Sequence, residues 1–399
     1  MSNGGATRLD ILIYAHDGRG LGHASRSIAI GMALRSLYPA LRVLFVSGCS
    51  FSQELIGTSG LDWLKLPSYR TEVVDGKSRG IPGYSNFGDH QLGVIRSRTI
   101  AHYVEIYRPR VVLVDHTPQG KHRELVPAIE DSWRKYGPES VKWVLGVRGV
   151  VGAVRQARSA LSAELFRKYY DTLLWYGDSG VLGRDHLVQL ERQYGVAPVE
   201  CGYVSRLAEQ FPGSRGVSGT GEKYAGTVSV PWIGEKSIGF LRNLAEALKG
   251  LGTSVGVWRL FVGGLEEGRV GPQVSALFQD IENCRVEPPS ARYVPALLQS
   301  KTALVYGGYN SLMDVIYAGI PFLAVLREMQ DEEQRIHVGS ILQAVGDRGS
   351  VLGESELSVD KIMRRLSANL QAGGAADPGI DLQGARTAAA RLYRMVVVK

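Results

Sequence analysis

The stretch Leu304 to Val338, LVYGGYNSLMDVIYAGIPFLAVLREMQDEEQRIHV, decides how the rest of the chain is read. The apolar run Ala303 to Tyr306 reads as a buried strand, and Gly307 and Gly308 follow at once. Asn310 and Ser311 open a helix carried by Leu312 to Tyr317. Gly319 and Pro321 stop it, and Phe322 to Val325 makes the next strand. Strand, glycine turn, capped helix and strand form a parallel unit whose helix N-terminus projects from the carboxyl edge of the sheet. Unpaired backbone N–H groups and the positive end of the helix dipole favour an anion there, such as a diphosphate. Glycine lets the backbone approach the oxygens with no Cβ between. Asp314, then Glu333 and Gln334, supply polar groups able to hold a ribose and a base edge. The unit therefore reads as a nucleotide-binding half-site, although the same turn also occurs in α/β proteins that bind no nucleotide.

Outward from this unit the chain alternates strands and helices in two series. The first begins with the strand Leu9 to Ala15, the glycine loop HDGRGLGH (His16 to His23), the helix Ala24 to Tyr38 and the strand Arg42 to Ser47. Thr71 to His90 holds several Gly and Pro and reads as a long loop. The buried strand Val111 to Asp115 delivers Asp115 and His116 at its carboxyl end, and Lys142 to Val147 ends at Arg148. Arg206 to Lys223 is polar and glycine-rich, a linker composition. A second series follows, with a strand Tyr224 to Val230 and another, Trp258 to Val262, ahead of Gly263. The expected fold class is α/β with two Rossmann-like domains facing across a cleft. Their bounds are residues 1–205 and 224–380, joined by the linker 206–223, with a C-terminal helix in 381–399 free to cross back to the first domain.

With 399 residues the chain is long enough for two full cores, and 44% hydrophobic with 21% charged residues is a globular composition. A net charge of +7 suits anionic substrates, yet no Lys/Arg block marks a nucleic-acid surface. Three cysteines without CxxC spacing argue against a disulfide framework or a zinc site and favour a reducing, cytoplasmic setting. No run approaches the roughly 20 apolar residues of a membrane span, so integral membrane association is not expected; peripheral contact stays open.

Candidate chemistry in the first half lies at strand ends. His23 stands at the start of a helix, where the positive helix end disfavours its protonated form and keeps it available as a base. The plainer reading is a histidine that braces the glycine loop. Asp115 and His116 are neighbours on a strand and are expected to point to opposite sides, so either enters the cleft singly. Asp115 alternatively caps the turn into Thr117 and Pro118.

The run GGYNS at Gly307 to Ser311, with Asp314, Arg327, Glu333 and Gln334, resembles the C-terminal signature of GT-B glycosyltransferases related to the peptidoglycan enzyme MurG. Asp314 matches the family's ribose-binding glutamate, one carbon shorter. GRGLGH at Gly18 to His23 is similar to its first glycine motif, which implies a place for Gly20, Gly22 and His23 beside the acceptor and the donor diphosphate. VDHTPQGKHREL (Val114 to Leu125), LGVRG (Leu145 to Gly149), YYDTLLWYGD (Tyr169 to Asp178) and CGYV (Cys201 to Val204) resemble an uncharacterised bacterial branch of that family. The sequence departs from the pattern at Leu326, where the family often has Pro before the arginine, and at Gly149, where it usually has an aspartate; the departure that matters is SVPWIGEKS, Ser229 to Ser237, where the branch has a glycine-rich loop. Pro231 and Trp232 there imply an unusual donor sugar.

The resemblance implies transfer of a sugar from a UDP- or GDP-type donor to a soluble small-molecule acceptor. Natural-product (antibiotic) biosynthesis is the favoured setting, and S-transfer is among the possibilities. Inversion is implied. The catalytic candidates are His23, Asp115 and His116. The donor candidates are Gly20, Gly22, Gly263, Gly307, Gly308, Tyr309, Asn310, Ser311, Asp314, Arg327, Glu333 and Gln334. No metal site or cofactor is expected beyond the nucleotide-diphosphate sugar as co-substrate, and no nucleic-acid partner; the protein is a monomer or homodimer. The alternatives are an epimerase or hydrolase of nucleotide sugars on the same fold, or a non-catalytic nucleotide-sugar-binding protein.

Overall fold

The computed structural model describes residues 8–16, 21–74, 77–150, 159–213, 224–233, 237–265, 270–327, 332–372 and 376–398. The chain divides into two compact units. One holds the residues up to Gln210 together with those from Asp381; the other runs from Phe211 to Ile380.

Among the described residues the first unit has nine strands: β1 (Ile11–Ala15), β2 (Val43–Ser47), β3 (Asp62–Lys65), β4 (Arg70–Val74), β5 (Lys77–Ile81), β6 (Val111–Asp115), β7 (Lys142–Arg148), β8 (Tyr170–Tyr176) and β9 (Val199–Glu200). Seven of them form a parallel sheet in the order β3-β2-β1-β6-β7-β8-β9. The strand order reverses between β1 and β6, so their carboxyl ends flank the crevice where such sheets bind ligands. Every residue of β1, β2 and β6 is buried, because helices cover both faces of the sheet. Leu12, Tyr14, Val114, Leu145 and Trp175 are among the side chains of its core.

β4 and β5 pair as an antiparallel hairpin inside the segment expected to be a loop. The sequence carries a signal for it, since Asp75-Gly76 is a hairpin dipeptide between two short runs containing Thr, Val and Ile.

The helix Gly384–Val397 returns to the first unit and packs along the helix Gly22–Leu37. The rings of Tyr38 and Tyr393 stack there at 4.0 Å and 4°. The return is pinned by backbone bonds from Tyr203 N to Asp381 O (2.8 Å) and from Gly384 N to Tyr203 O (3.0 Å). Where the sequence suggests a linker from Arg206, residues Arg206–Gln210 are helical, and residues 214–223 lie outside those described.

Among the described residues the second unit has six parallel strands: β10 (Tyr224–Val230), β11 (Val257–Val262), β12 (Cys284–Glu287), β13 (Ser300–Tyr306), β14 (Phe322–Leu326) and β15 (Gly349–Gly353). Their order is β12-β11-β10-β13-β14-β15, which again reverses in the middle, here between β10 and β13. Leu241, Leu244 and Leu248 of one helix and Ile362 and Leu366 of another pack on Val228, Leu260, Leu304 and Leu323. Among the described residues no helix is long and apolar enough to cross a membrane.

Candidate functional site

In the first unit the crevice between β1 and β6 gathers three histidines and a carboxylate. His16 directly follows β1, His23 lies in the first turn of the next helix, and Asp115 and His116 end and follow β6. The ring centroids of His16 and His23 are 4.0 Å apart, and that of His116 lies 5.2 and 5.1 Å from them. His23 Nδ1 bonds to Asp115 Oδ2. Arg26, one turn further along the helix, donates from Nη2 to Asp115 Oδ1 at 3.3 Å. The Asp115 and Arg26 side chains are each 3% exposed, so the carboxylate is committed to these two partners.

Asp115 and His116 do not diverge as neighbours on a strand would. His116 has φ +80, a conformation uncommon outside glycine, and its N–H bonds to Gly146 O at 2.8 Å. The chain leaves the strand's alternation there, so both side chains reach His23. Backbone conformation at functional sites often departs from the common wells in this way.

Burial holds all three imidazoles well below the ordinary histidine range. Arg26, Arg148 and Lys121 push His23 further down; for His16 and His116 the largest added influence is His23. A neutral His23 that gives its Nδ1–H to Asp115 keeps Nε2 as the basic nitrogen, the arrangement of an oriented general base. His16 Nδ1, His116 Nδ1 and Thr117 Oγ1 are buried with no hydrogen-bond partner among the described residues. Buried polar atoms of this kind call for a ligand or water. No set of His, Cys, Asp or Glu side chains among the described residues is grouped to hold a metal ion.

Beneath this cluster a buried ion pair fixes the loop after β6. Glu124, 0% exposed, accepts from Arg96 Nε (2.6 Å), Arg96 Nη2 (2.9 Å), Tyr69 OH (3.1 Å) and Tyr14 OH. Tyr14 belongs to β1, so the pair ties the two strands that bear the histidines.

In the second unit Gly307 and Gly308 link β13 to the helix Tyr309–Ala318, with Gly308 as an extended N-cap at φ −75, ψ 150. The two glycines have different reasons. A Cβ on Gly307 would lie 2.7 Å from Val338 Cγ2, whereas one on Gly308 meets nothing within 4 Å. Packing therefore requires Gly307, and the fold leaves Gly308 unconstrained.

Asn310, Ser311 and Asp314 are half-buried on the first turns of that helix, and Glu333 and Gln334 open the helix Glu333–Val345. Gln334 Oε1 is buried with no partner among the described residues. Tyr309 turns its ring inward, stacked on His337 at 5.6 Å. Gly263 follows β11 and packs against Pro231, whose carbonyl oxygen would lie 2.1 Å from a Cβ. Arg327 is 7% exposed and stacked on Trp232 and Tyr306. Gly22 begins the helix that carries His23, while Gly20 lies outside the described residues.

The sequence reading missed His16, Arg26, Thr117 and the Glu124–Arg96 pair. Position signals two of them: His16 is the first residue past a strand end, and Arg26 stands three residues after His23, on the same helix face.

No protein-family model matches the chain, and no curated protein matches its sequence. Solved structures do match it. The crystal structure of MurG from Acinetobacter baumannii superposes with a TM-score of 0.52 at 13% identity, over 97% of this chain and 98% of that one. The chain carries the GT-B fold. A putative UDP-N-acetylglucosamine 2-epimerase from Listeria monocytogenes gives 0.65 at 11% identity, over 98% and 97%. The spinosyn rhamnosyltransferase SpnG gives 0.53 at 13%, over 98% and 96%.

Proposed function

We propose that this chain is a glycosyltransferase that moves a sugar from a nucleoside-diphosphate donor to a small-molecule acceptor. The observation that carries the reading is the oriented His23–Asp115 pair at the strand-order reversal of the first sheet. It supplies the base that transfer to an acceptor needs and that mere nucleotide binding does not. The shared fold with MurG and SpnG supports the same class of reaction.

In this mechanism the acceptor's oxygen or sulfur attacks the anomeric carbon as the bond from that carbon to the diphosphate oxygen breaks. His23 Nε2 takes the acceptor proton, and the nucleoside diphosphate leaves with the bonding electron pair. Attack from the face opposite the leaving group inverts the centre. The helix N-terminus at Gly308 and the Arg327 guanidinium offset the charge growing on the leaving phosphate, a role a metal ion fills in other sites. Asp314, Glu333 and Gln334 hold the ribose and base. A thiol acceptor, partly ionised near neutral pH, would lean least on the base. The acceptor we favour is soluble and belongs to natural-product assembly in the cytoplasm.

The test is a panel of UDP-, GDP- and dTDP-sugars screened by ligand-induced melting shifts, then by product mass in the presence of acceptors. The reading expects one nucleotide family to raise the melting temperature and to glycosylate an acceptor. No shift with any nucleoside diphosphate overturns it.

One observation favours a second reading, epimerisation or hydrolysis of the donor alone: the epimerase structure superposes better, at 0.65 against 0.52 and 0.53. Epimerised sugar or released nucleotide in a donor-only incubation would establish that activity in place of transfer.

A further inference from the structure

One cation ties together the carboxyl ends of three strands in the second sheet. Arg327 follows β14, lies over Tyr306 at the end of β13, and donates from Nη2 to the carbonyl of Trp232, beyond β10, at 2.7 Å. Its guanidinium carbon is 3.9 Å from the centre of the Trp232 ring and 4.0 Å from that of Tyr306. Glu354 Oε1 stands 3.8 Å from Nη1 and also accepts from Tyr306 OH at 2.7 Å. A guanidinium between two rings keeps its charge and loses its freedom to swing.

Its hydrogen bonding is far from complete. A guanidinium has five N–H donors. Here the bond to Trp232 is the hydrogen bond it makes among the described residues, and Nε is buried with no acceptor there. A side chain 7% exposed with this many idle donors is suited to an oxyanion. It stands where the strand order reverses, beside the helix N-terminus at Gly308. The Trp232 segment is held from its other side as well. Gly263 N donates to Val230 O at 2.8 Å, and Pro231 O fills the place of a Gly263 Cβ.

We propose that Trp232 is a positioning residue for the donor: it holds Arg327 so that the idle N–H groups meet the β-phosphate of a nucleoside diphosphate, the phosphate joined to the sugar. The inference rests on the reading of the second unit as the donor site. It gives the Pro-Trp segment a task different from that of a flexible glycine loop, which wraps phosphates with backbone N–H groups. Here a fixed side-chain cation reads the second phosphate. The site then discriminates diphosphates from monophosphates through Trp232.

Calorimetric titration of the full chain with UDP, GDP and dTDP, and with UMP, GMP and dTMP, tests this. Trp232→Phe keeps a ring over the guanidinium and is expected to keep the preference for diphosphate. Trp232→Leu removes the ring, and Arg327→Lys removes the planar fork while keeping the charge. Both are expected to weaken diphosphate binding by roughly tenfold to a hundredfold, the worth of a charge-assisted hydrogen bond, with monophosphate affinity unchanged. Equal losses for both phosphate classes, or no loss in Trp232→Leu and Arg327→Lys, overturn the proposal. Should Trp232→Leu melt early, Arg327→Lys and Trp232→Phe still decide the matter. A wild-type protein that binds none of the nucleotides removes the donor site itself, whereas binding with an unaltered ratio in the variants removes only the role of Trp232.

Discussion

His23 gives its Nδ1–H to the carboxylate of Asp115 across 92 positions of sequence. On the proposed reading the pair makes the helix-borne His23 an oriented base, and kinetics should reveal it. His23→Ala is expected to lower turnover by roughly 10²–10⁴ and to leave nucleotide affinity within about twofold. Asp115→Asn keeps the shape and removes the charge that orients the ring, so it should also depress turnover more than affinity. Initial rates paired with nucleotide titrations check both. Undiminished turnover in His23→Ala would make the residue a packing element.

Acid should destabilise the first unit earlier than a chain with solvated histidines. His16, His23 and His116 all have their protonation depressed by burial, so the unfolded chain binds protons that the folded one refuses. Their stabilising contribution is complete above the unfolded histidine value near 6.5 and is lost as pH falls below it, by up to about 1.4 kcal/mol per pH unit for each ring. Urea unfolding between pH 7.5 and 5.5 should show this slope, and His16→Asn with His116→Asn should flatten it. An identical slope in the double variant would count against the account.

Glu124 offers a stability test independent of chemistry. Its carboxylate and Arg96 are both 0% exposed, so Glu124→Leu strands a buried guanidinium and should cost about 3–5 kcal/mol in denaturant unfolding. Adding Arg96→Leu removes the stranded charge and should recover much of that loss. A double variant no more stable than the single one would contradict this.

The two glycines of the turn between β13 and the helix Tyr309–Ala318 should separate folding from binding. Gly307→Ala forces a Cβ against Val338 and should cost about 1–3 kcal/mol. Gly308→Ala has room for its methyl group, so it should fold normally and weaken nucleoside-diphosphate binding instead. Thermal melting with and without nucleotide distinguishes them, and equal behaviour of the two variants would refute the division.

What could be read from the residues follows how local each signal is. Central strands such as β1 (ILIYA) and β14 (FLAVL) are continuous apolar runs, and the Gly307–Gly308 turn sits between β14 and the apolar end of β13, so strand, turn and helix were visible there from short spacing; edge strands such as β3 (DWLK) and β15 (GSVLG) carry no such run. The histidine cluster is assembled by a parallel crossover between β1 and β6, and no window of sequence contains both ends. Strand alternation separated Asp115 from His116; one residue with positive φ reunites them, and no composition rule marks a histidine for that conformation. Trp232 was visible as a departure from the family pattern and Arg327 as a match to it, but their stacking depends on the guanidinium lying between the Trp232 and Tyr306 rings. The hairpin of β4 and β5 was missed although its Asp-Gly dipeptide is present, because the surrounding Gly and Pro suggested irregular chain.

The helix Gly384–Val397 that packs beside the His23 helix has a consequence for biosynthesis. During translation most of the first unit emerges early but stays short of one wall until the helix Gly384–Val397 has left the ribosome. The first half therefore cannot mature ahead of the second, and a fragment ending near Gln210 is expected to leave one flank of the Gly22–Leu37 helix bare and to recover when a peptide spanning residues 381–399 is supplied in trans.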